Sequence, residues 1–255
     1  MTRVIKIGGR PQSDPLLPAA IAGAWDATDR PLVIVHGGGD DVTSLQSALG
    51  ASARFVDGRR VTTAQDVEIV RMALSGSANK RLVASLVTHG VRALGLSGED
   101  ASLLTAMPLD PERLGHVGAP HRVSVELLWH LIDGGYLPVV SPISRNACAD
   151  VLHEGELGAA LNVNGDDAAS AIAVALAAEE LLLVADVPGV MSDGALVSKL
   201  RMSHARELIA SGVAAGGMRA KLEAALAACD GGVGRVRIGD VAAIRDSARG
   251  TLLTG

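Results

Sequence analysis

Arg3-Val4-Ile5-Lys6-Ile7-Gly8-Gly9 and Leu32-Val33-Ile34-Val35-His36-Gly37-Gly38-Gly39 are the stretches that decide the fold. Each is a short β-branched run that ends on a glycine-rich turn. Strands buried on both faces read this way, and such strands belong to parallel sheets. Ala93–Leu96, Leu137–Val140, Leu181–Val184 and Arg235–Ile238 repeat the pattern. Segments with helical spacing lie between them. Ala64–His89 sets Val67, Val70, Leu74, Leu82 and Leu86 near one face, and Val125–Ile132, Ala168–Ala178 and Met218–Cys229 also predict helices. Thr62 or Thr63 can cap the first of these, and Gly90 can end it. The βαβα order predicts an α/β fold: a central, mainly parallel sheet covered on both faces.

The middle of the chain is less regular. Arg54–Thr62 predicts a hairpin around Asp57-Gly58. Ala101–Val123, with its prolines and glycines, predicts short antiparallel strands and loops. Val151–Asn164 predicts a second hairpin turning near Gly155. There is no internal repeat and no linker, so any division is into two lobes on one sheet, with the boundary near Gly165.

Composition narrows the function. The chain of 255 residues carries 23 basic and 28 acidic side chains, a formal charge of −5, and is 48% hydrophobic. Its aromatic residues are Trp25, Phe55, Trp129 and Tyr136. An acidic chain with so few stacking platforms is a poor nucleic-acid binder. The longest nearly apolar run, Ala168–Ala178, is too short to span a bilayer. The N-terminal residues show no signal-peptide pattern. Cys148 and Cys229 stand in no metal or redox motif. These features predict a cytoplasmic protein acting on a small molecule. Only Lys6, Lys80, Lys199 and Lys221 are lysines; the other basic residues are arginines.

Several motifs bear on chemistry. Lys6-Ile7-Gly8-Gly9 and His36-Gly37-Gly38-Gly39 close neighbouring strands at their carboxyl ends, where open parallel sheets bind ligands. One glycine pair alone makes a tight turn; two such loops with a lysine suit an anion cradle. Gly58-Arg59-Arg60-Val61-Thr62 offers guanidinium groups, either to solvent or to a carboxylate. In Asn162-Val163-Asn164-Gly165-Asp166-Asp167 an acidic residue either caps the next helix or orients a cation. Gly216-Gly217-Met218-Arg219-Ala220-Lys221 sets a scarce lysine one turn into a helix. Asp186-Val187-Pro188-Gly189-Val190 follows a strand and is weak alone. There is no Walker A loop, no dinucleotide fingerprint and no nucleophile elbow. His153-Glu154-Gly155-Glu156-Leu157 is not a zinc-protease motif.

In this order and spacing, the motifs resemble the amino acid kinase family, and within it the branch that phosphorylates N-acetyl-L-glutamate. Ser77-Ala78-Asn79-Lys80, Leu114-Gly115-His116-Val117-Gly118 and Gly134-Gly135-Tyr136-Leu137-Pro138-Val139 add to the match, which runs from Arg3 almost to Gly255.

The resemblance implies a three-layer α/β/α sandwich, with residues 1–165 binding the amino-acid substrate and residues 166–255 binding ATP. It implies ATP-dependent phosphorylation of a γ-carboxylate. Lys6 and Lys221 would stabilise the transferring phosphoryl group, and Asp166 would orient both. Gly8 and Gly9 would give backbone contacts to phosphate, and Gly38 and Gly39 would line the substrate. Arg60 would clamp its α-carboxylate and Asn162 its acylated end. Asp186, Val187, Pro188, Gly189, Val190 and Met191, with Val213, Ala214 and Ala215, would bind the nucleotide. Mg²⁺ would be held by phosphates and water, with no protein metal site. Two departures stand out. Asp40-Asp41 follows the triple glycine where many relatives have proline, and no helix precedes the first strand. The second departure predicts a homodimer through Ala64–His89 without arginine feedback. An acylated or carrier-linked 2-aminoadipate as substrate, and a non-catalytic sensor of nucleotide or amino acid, are the competing readings.

Overall fold

The computed structural model describes residues 2–26, 31–56, 58–148, 160–192 and 194–255. Alternation along the first strand sets the layers. In β1 (Arg3–Ile7), Val4 packs into one core cluster while Ile5 and Ile7 pack into another on the opposite face. β2 (Leu32–His36) splits the same way, Val33 and Val35 against Ile34. Full burial of one such side chain stabilises the fold by about 1.5–3 kcal/mol. β1 and β2 are therefore each bound to two apolar layers. α1 (Leu17–Asp26) covers the Ile5 face and α2 (Gly39–Ala48) follows β2.

The predicted hairpin forms as β3 (Phe55–Val56) and β4 (Arg59–Arg60), separate from the main sheet; Asp57 lies outside the described residues. Thr63 then caps α3 (Ala64–Arg71) in a reciprocal box with Asp66. The predicted single helix is interrupted. α3 widens into a π-helical turn, Met72–Ala78, before α4 (Asn79–Thr88). A π turn re-phases the helix. Val67, Val70 and Leu74 consequently join a small cluster with Val42 and Ile143, whereas Leu82 and Leu86 face the main sheet. The expected common face is two faces. Gly90, at φ +83°, ends α4.

β5 (Ala93–Ser97) is the far edge of the sheet. β6 (Leu104–Pro108) and β7 (Val117–Val123) pair antiparallel as expected, with a one-turn helix α5 (Pro111–Leu114) between them. α6 (Glu126–Asp133) leads to β8 (Leu137–Ser141). β9 (Ile143–Asn146) and β10 (Ala160–Val163) then pair antiparallel and close a small barrel with β6 and β7. The partner of β10 thus begins upstream of Val151; the expected turn at Gly155, like His153 and Glu154, lies outside the described residues.

The rest of the chain supplies α7 (Gly165–Ala175), β11 (Glu180–Val184), a minor hairpin β12 (Met191–Ser192) and β13 (Ala195–Leu196), and β14 (Lys199–Arg201). α8 (Met202–Ala210), α9 (Gly216–Asp230), β15 (Arg235–Gly239) and β16 (Thr251–Thr254) complete it. The main sheet runs β14-β16-β15-β11-β1-β2-β8-β5, and only the β15–β16 pair is antiparallel. β1 lies at its centre, between β2 and β11, so the loop after β1 opens at the carboxyl edge of the sheet beside the loops that follow those two strands. No helix among the described residues is long and apolar enough to cross a membrane.

Candidate active site

Lys6 shares the strand face of Val4, so its side chain rises toward α7 rather than α1. Its Nζ lies 2.9 Å from Asp166 Oδ1, and Lys221 Nζ, from α9, lies 3.1 Å from Asp166 Oδ2. Lys6 is 5% and Asp166 4% exposed. The cap question is settled by geometry. Asn164 is the N-cap of α7, accepting the Asp166 N–H at 2.8 Å, and the Asp166 carboxylate is left for the two lysines.

Burial dominates the electrostatics here. It pushes the Lys6 ammonium down to about 8, against the attraction of Asp166, and Lys221 pushes in the same direction. Burial would raise the Asp166 carboxyl, but Lys6 and Lys221 together overcome it and hold it below its ordinary value. Two ammonium groups around one carboxylate leave a net positive charge at the edge of a cavity, which suits a polyanion.

That cavity, of about 220 Å³, is lined by Lys6, Gly9, Gly38, Gly39, Arg59, Arg60, Asn162 and Asp166, among others. Gly38 needs its hydrogen side chain: a Cβ there, at φ +156°, would sit 2.7 Å from Leu74 Cδ2. Gly39 has open space instead. Gly8 is placed differently from Gly9. Its N–H donates to Val184 O at 3.2 Å, extending the strand ladder by one residue, and Gly8 is not part of the cavity wall.

Arg60 Nη2 donates to Gly39 O at 2.9 Å and to Thr43 Oγ at 2.8 Å, Nη1 donates to Gln46 Oε1, and the guanidinium lies over the Phe55 ring at 4.8 Å. Gln46 is itself fixed by donating to Asp66 Oδ1 at 2.6 Å. Asn162 donates to Thr62 Oγ1 at 3.0 Å. Asp41, one of the two unexpected acidic residues, pairs with Arg81 at 2.8 Å, which cancels much of its field toward the cavity. Ser77-Ala78-Asn79-Lys80 has a structural use: buried Asn79 donates to His36 Nε2 at 3.0 Å and to Val139 O at 2.9 Å. Burial lowers His36 to about 4, so its ring is a neutral strut below the glycine loop.

A second cavity, of about 370 Å³, gathers most of the other predicted residues. Val187, Gly189, Val190, Met191, Val213 and Ala214 line it. Pro188 and Ala215 belong to the same loops without forming its wall, and Asp186 turns to Arg10, 2.9 Å away. α9 spans both cavities: Met218 and Leu222 line the second, and Lys221 reaches Asp166 at the first. Gln46, Thr43, His204 and Leu208 were not visible as site residues in the sequence. Only the thirds and fourths of helical spacing mark them, and those mark any packed helix.

The model of the amino acid kinase family matches residues 1–240. The chain belongs to the amino acid kinase family. Among its relatives in that family, the acetylglutamate kinase of Chloroflexus aggregans is 42% identical over 245 residues, 95% of this chain and 93% of that protein. The acetylglutamate kinase of Geobacillus kaustophilus is 40% identical over 239 residues, 93% and 89% of the two chains. Of solved structures, smu.665 from Streptococcus mutans superposes with a TM-score of 0.87 at 31% identity, covering 99% of this chain and 98% of that one. Giardia lamblia carbamate kinase bound to AMP-PNP shares the fold, with a TM-score of 0.72 at 15% identity and coverage of 99% and 98%. The expected resemblance and fold class of this family member are both borne out.

Proposed function

We propose that the chain transfers the γ-phosphoryl group of ATP to the γ-carboxylate of N-acetyl-L-glutamate, giving N-acetyl-L-glutamyl 5-phosphate for arginine biosynthesis. The arrangement Lys6–Asp166–Lys221 carries this reading. Transfer between two anions needs positioning and charge neutralisation, and no general base, because the acceptor carboxylate is already ionised at neutral pH. In this reading Lys6 meets the transferring group from the β1 side and Lys221 from the nucleotide side. Asp166 keeps their ammonium groups a fixed distance apart. Residues 1–165 hold the amino acid, with Arg60 on the α-carboxylate, Gly38 and Gly39 along its body and Asn162 at the acyl end. Residues 166–255 hold ATP, with the second cavity taking the nucleoside and Gly9 the phosphates.

Mg²⁺ is proposed to arrive on the nucleotide, where it would neutralise phosphate charge. Both oxygens of Asp166 face lysines, so that carboxylate offers it no seat. We also propose a cytoplasmic homodimer through Ala64–His89, where Met72, in the π turn, and Val87, in α4, are large apolar side chains left exposed. Light scattering on the purified protein would give twice the monomer mass.

The sensor reading has less support, since a binder has no use for two lysines aimed at one buried carboxylate. Acylated 2-aminoadipate differs from the proposed substrate by one methylene, worth about 1–3 kcal/mol in a pocket. The kcat/KM for N-acetyl-L-glutamate is expected to exceed that for N-acetyl-2-aminoadipate by at least tenfold. The reverse preference overturns the substrate assignment.

Two predictions arise here. Arg60→Lys keeps the charge but cannot reproduce the contacts to Gly39, Thr43 and Gln46 together, nor form a paired grip on a carboxylate. Its KM for the amino acid is expected to rise about tenfold or more, with the KM for ATP nearly unchanged. The second concerns pH. Lys6 acts as an ammonium, and burial brings its proton loss to about 8. The charged form is complete well below that pH and disappears as pH rises through it. The kcat/KM for ATP, which reports the free enzyme, is expected to fall along an alkaline limb centred near 8. A profile flat to pH 9.5 would contradict this.

A further inference from the structure

The β3–β4 hairpin has two residues in each strand and pairs with no other strand among the described residues. A two-stranded ribbon of this kind is marginal in water, so its position depends on what its side chains grip. Successive side chains of a strand point opposite ways. Arg60 grips α2 through Gly39 and Thr43. Arg59 grips the other side: its Nη1 lies 3.0 Å from Asp167 Oδ2, in the first turn of α7. Val56 adds a small apolar contact with Val61, Leu114 and Val117. The Arg59 and Asp167 side chains are 25% and 18% exposed, so the pair is far less screened than a surface pair. Asp167 is also the residue after Asp166. The turn of helix that fixes the two lysines therefore fixes the hairpin as well.

We infer that the Arg59–Asp167 ion pair is a positioning contact that registers the hairpin carrying Arg60 against the helix carrying Asp166; its kinetic consequence rests on the proposed kinase reading. Arg59 touches no reacting atom in this account. It sets the fraction of molecules whose hairpin is closed over the cavity, and apparent affinity scales with that fraction. The loss therefore falls on the amino acid rather than on ATP or on the transfer step.

The test is a double-mutant cycle on the full chain with Arg59→Gln, Asp167→Asn and the pair, together with Arg59→Lys. Each single variant is expected to raise the KM for N-acetyl-L-glutamate about fivefold while moving the KM for ATP and kcat less than twofold. The double variant is expected to be no worse than either single, and Arg59→Lys to recover at least half of the loss. Additive effects, an unchanged KM, or equal rises in both KM values would overturn the inference. Amide exchange of residues 55–61 in the free protein supplies a readout independent of substrate. Faster exchange confined to that segment in Arg59→Gln supports the contact even if wild-type protein leaves N-acetyl-L-glutamate unphosphorylated, in which case only the substrate reading falls. Unchanged exchange there overturns the contact itself.

Discussion

Asp166→Asn is expected to lower kcat by a factor of 100 or more and to destabilise the fold at the same time. The two effects have one cause. The carboxylate lies between two ammonium groups at 2.9 and 3.1 Å, in surroundings almost closed to water. An amide of the same shape leaves like charges adjacent and unneutralised. Breaking a buried pair by removing one partner costs on the order of 3–5 kcal/mol. The chain can relieve part of this by deprotonating Lys6, which burial already brings to about 8. In the proposed reading that relief removes the charge needed for transfer, so stability recovered would be activity lost. Helix capping is not disturbed, because Asn164 provides the cap. Urea denaturation at pH 7 and pH 9 checks the sign: the gap between variant and wild type should narrow at pH 9, where the unpaired Lys6 sheds its proton more easily. A variant with wild-type stability and more than a tenth of wild-type kcat would contradict the arrangement.

Lys6→Arg should have a comparable effect on kcat by a different route. The charge is conserved and the fit is not. Lys6 is 5% exposed, and even a Cβ on Gly165 would come within 3.2 Å of its Cε. A planar guanidinium cannot enter that space and keep a compact charge on the line between donor and acceptor. Loss of one preorganised group of this type costs about 100- to 1000-fold in kcat. Substrate affinity should fall much less, since Arg60 and the glycine loops are untouched. Lys221→Arg is expected to behave similarly, its side chain being 13% exposed. Lys199→Arg, at an exposed position on β14, is the matched control and should leave kcat unchanged. Near-normal kcat for Lys6→Arg would remove Lys6 from its assigned role.

What was legible in the sequence follows from where the information is stored. The strands of the parallel sheet announce themselves because both faces are buried, so Leu181–Val184 reads as an unbroken apolar run. The glycine turns after β1 and β2 are local signals as well, and the topology then brings them together. Lys221 stood out because lysine is scarce. The π turn at Met72–Ala78 was not legible: it preserves the apolar spacing on either side and changes only the phase between the halves. β16, which makes the antiparallel pairing with β15 in the main sheet, has only Leu252 and Leu253 as its apolar signal. The props of Arg60 were hidden for another reason. Thr43, Gln46 and Asp66 form a hydrogen-bonded relay between two helices and a hairpin, and polar residues on helices usually face water. Arg59 and Asp167 lie 108 residues apart, and nothing local to either predicts the other.

The most direct test of the central claim is turnover itself. Purified protein is incubated with Mg·ATP and N-acetyl-L-glutamate in the presence of hydroxylamine, which traps an acyl phosphate as its hydroxamate, while ADP is followed by a coupled assay. Hydroxamate and ADP are expected in equal amounts, saturable in both substrates and lost in Lys6→Arg. ADP and hydroxamate both absent, with nucleotide and amino acid still binding, would show a protein that keeps the fold without the phosphoryl transfer.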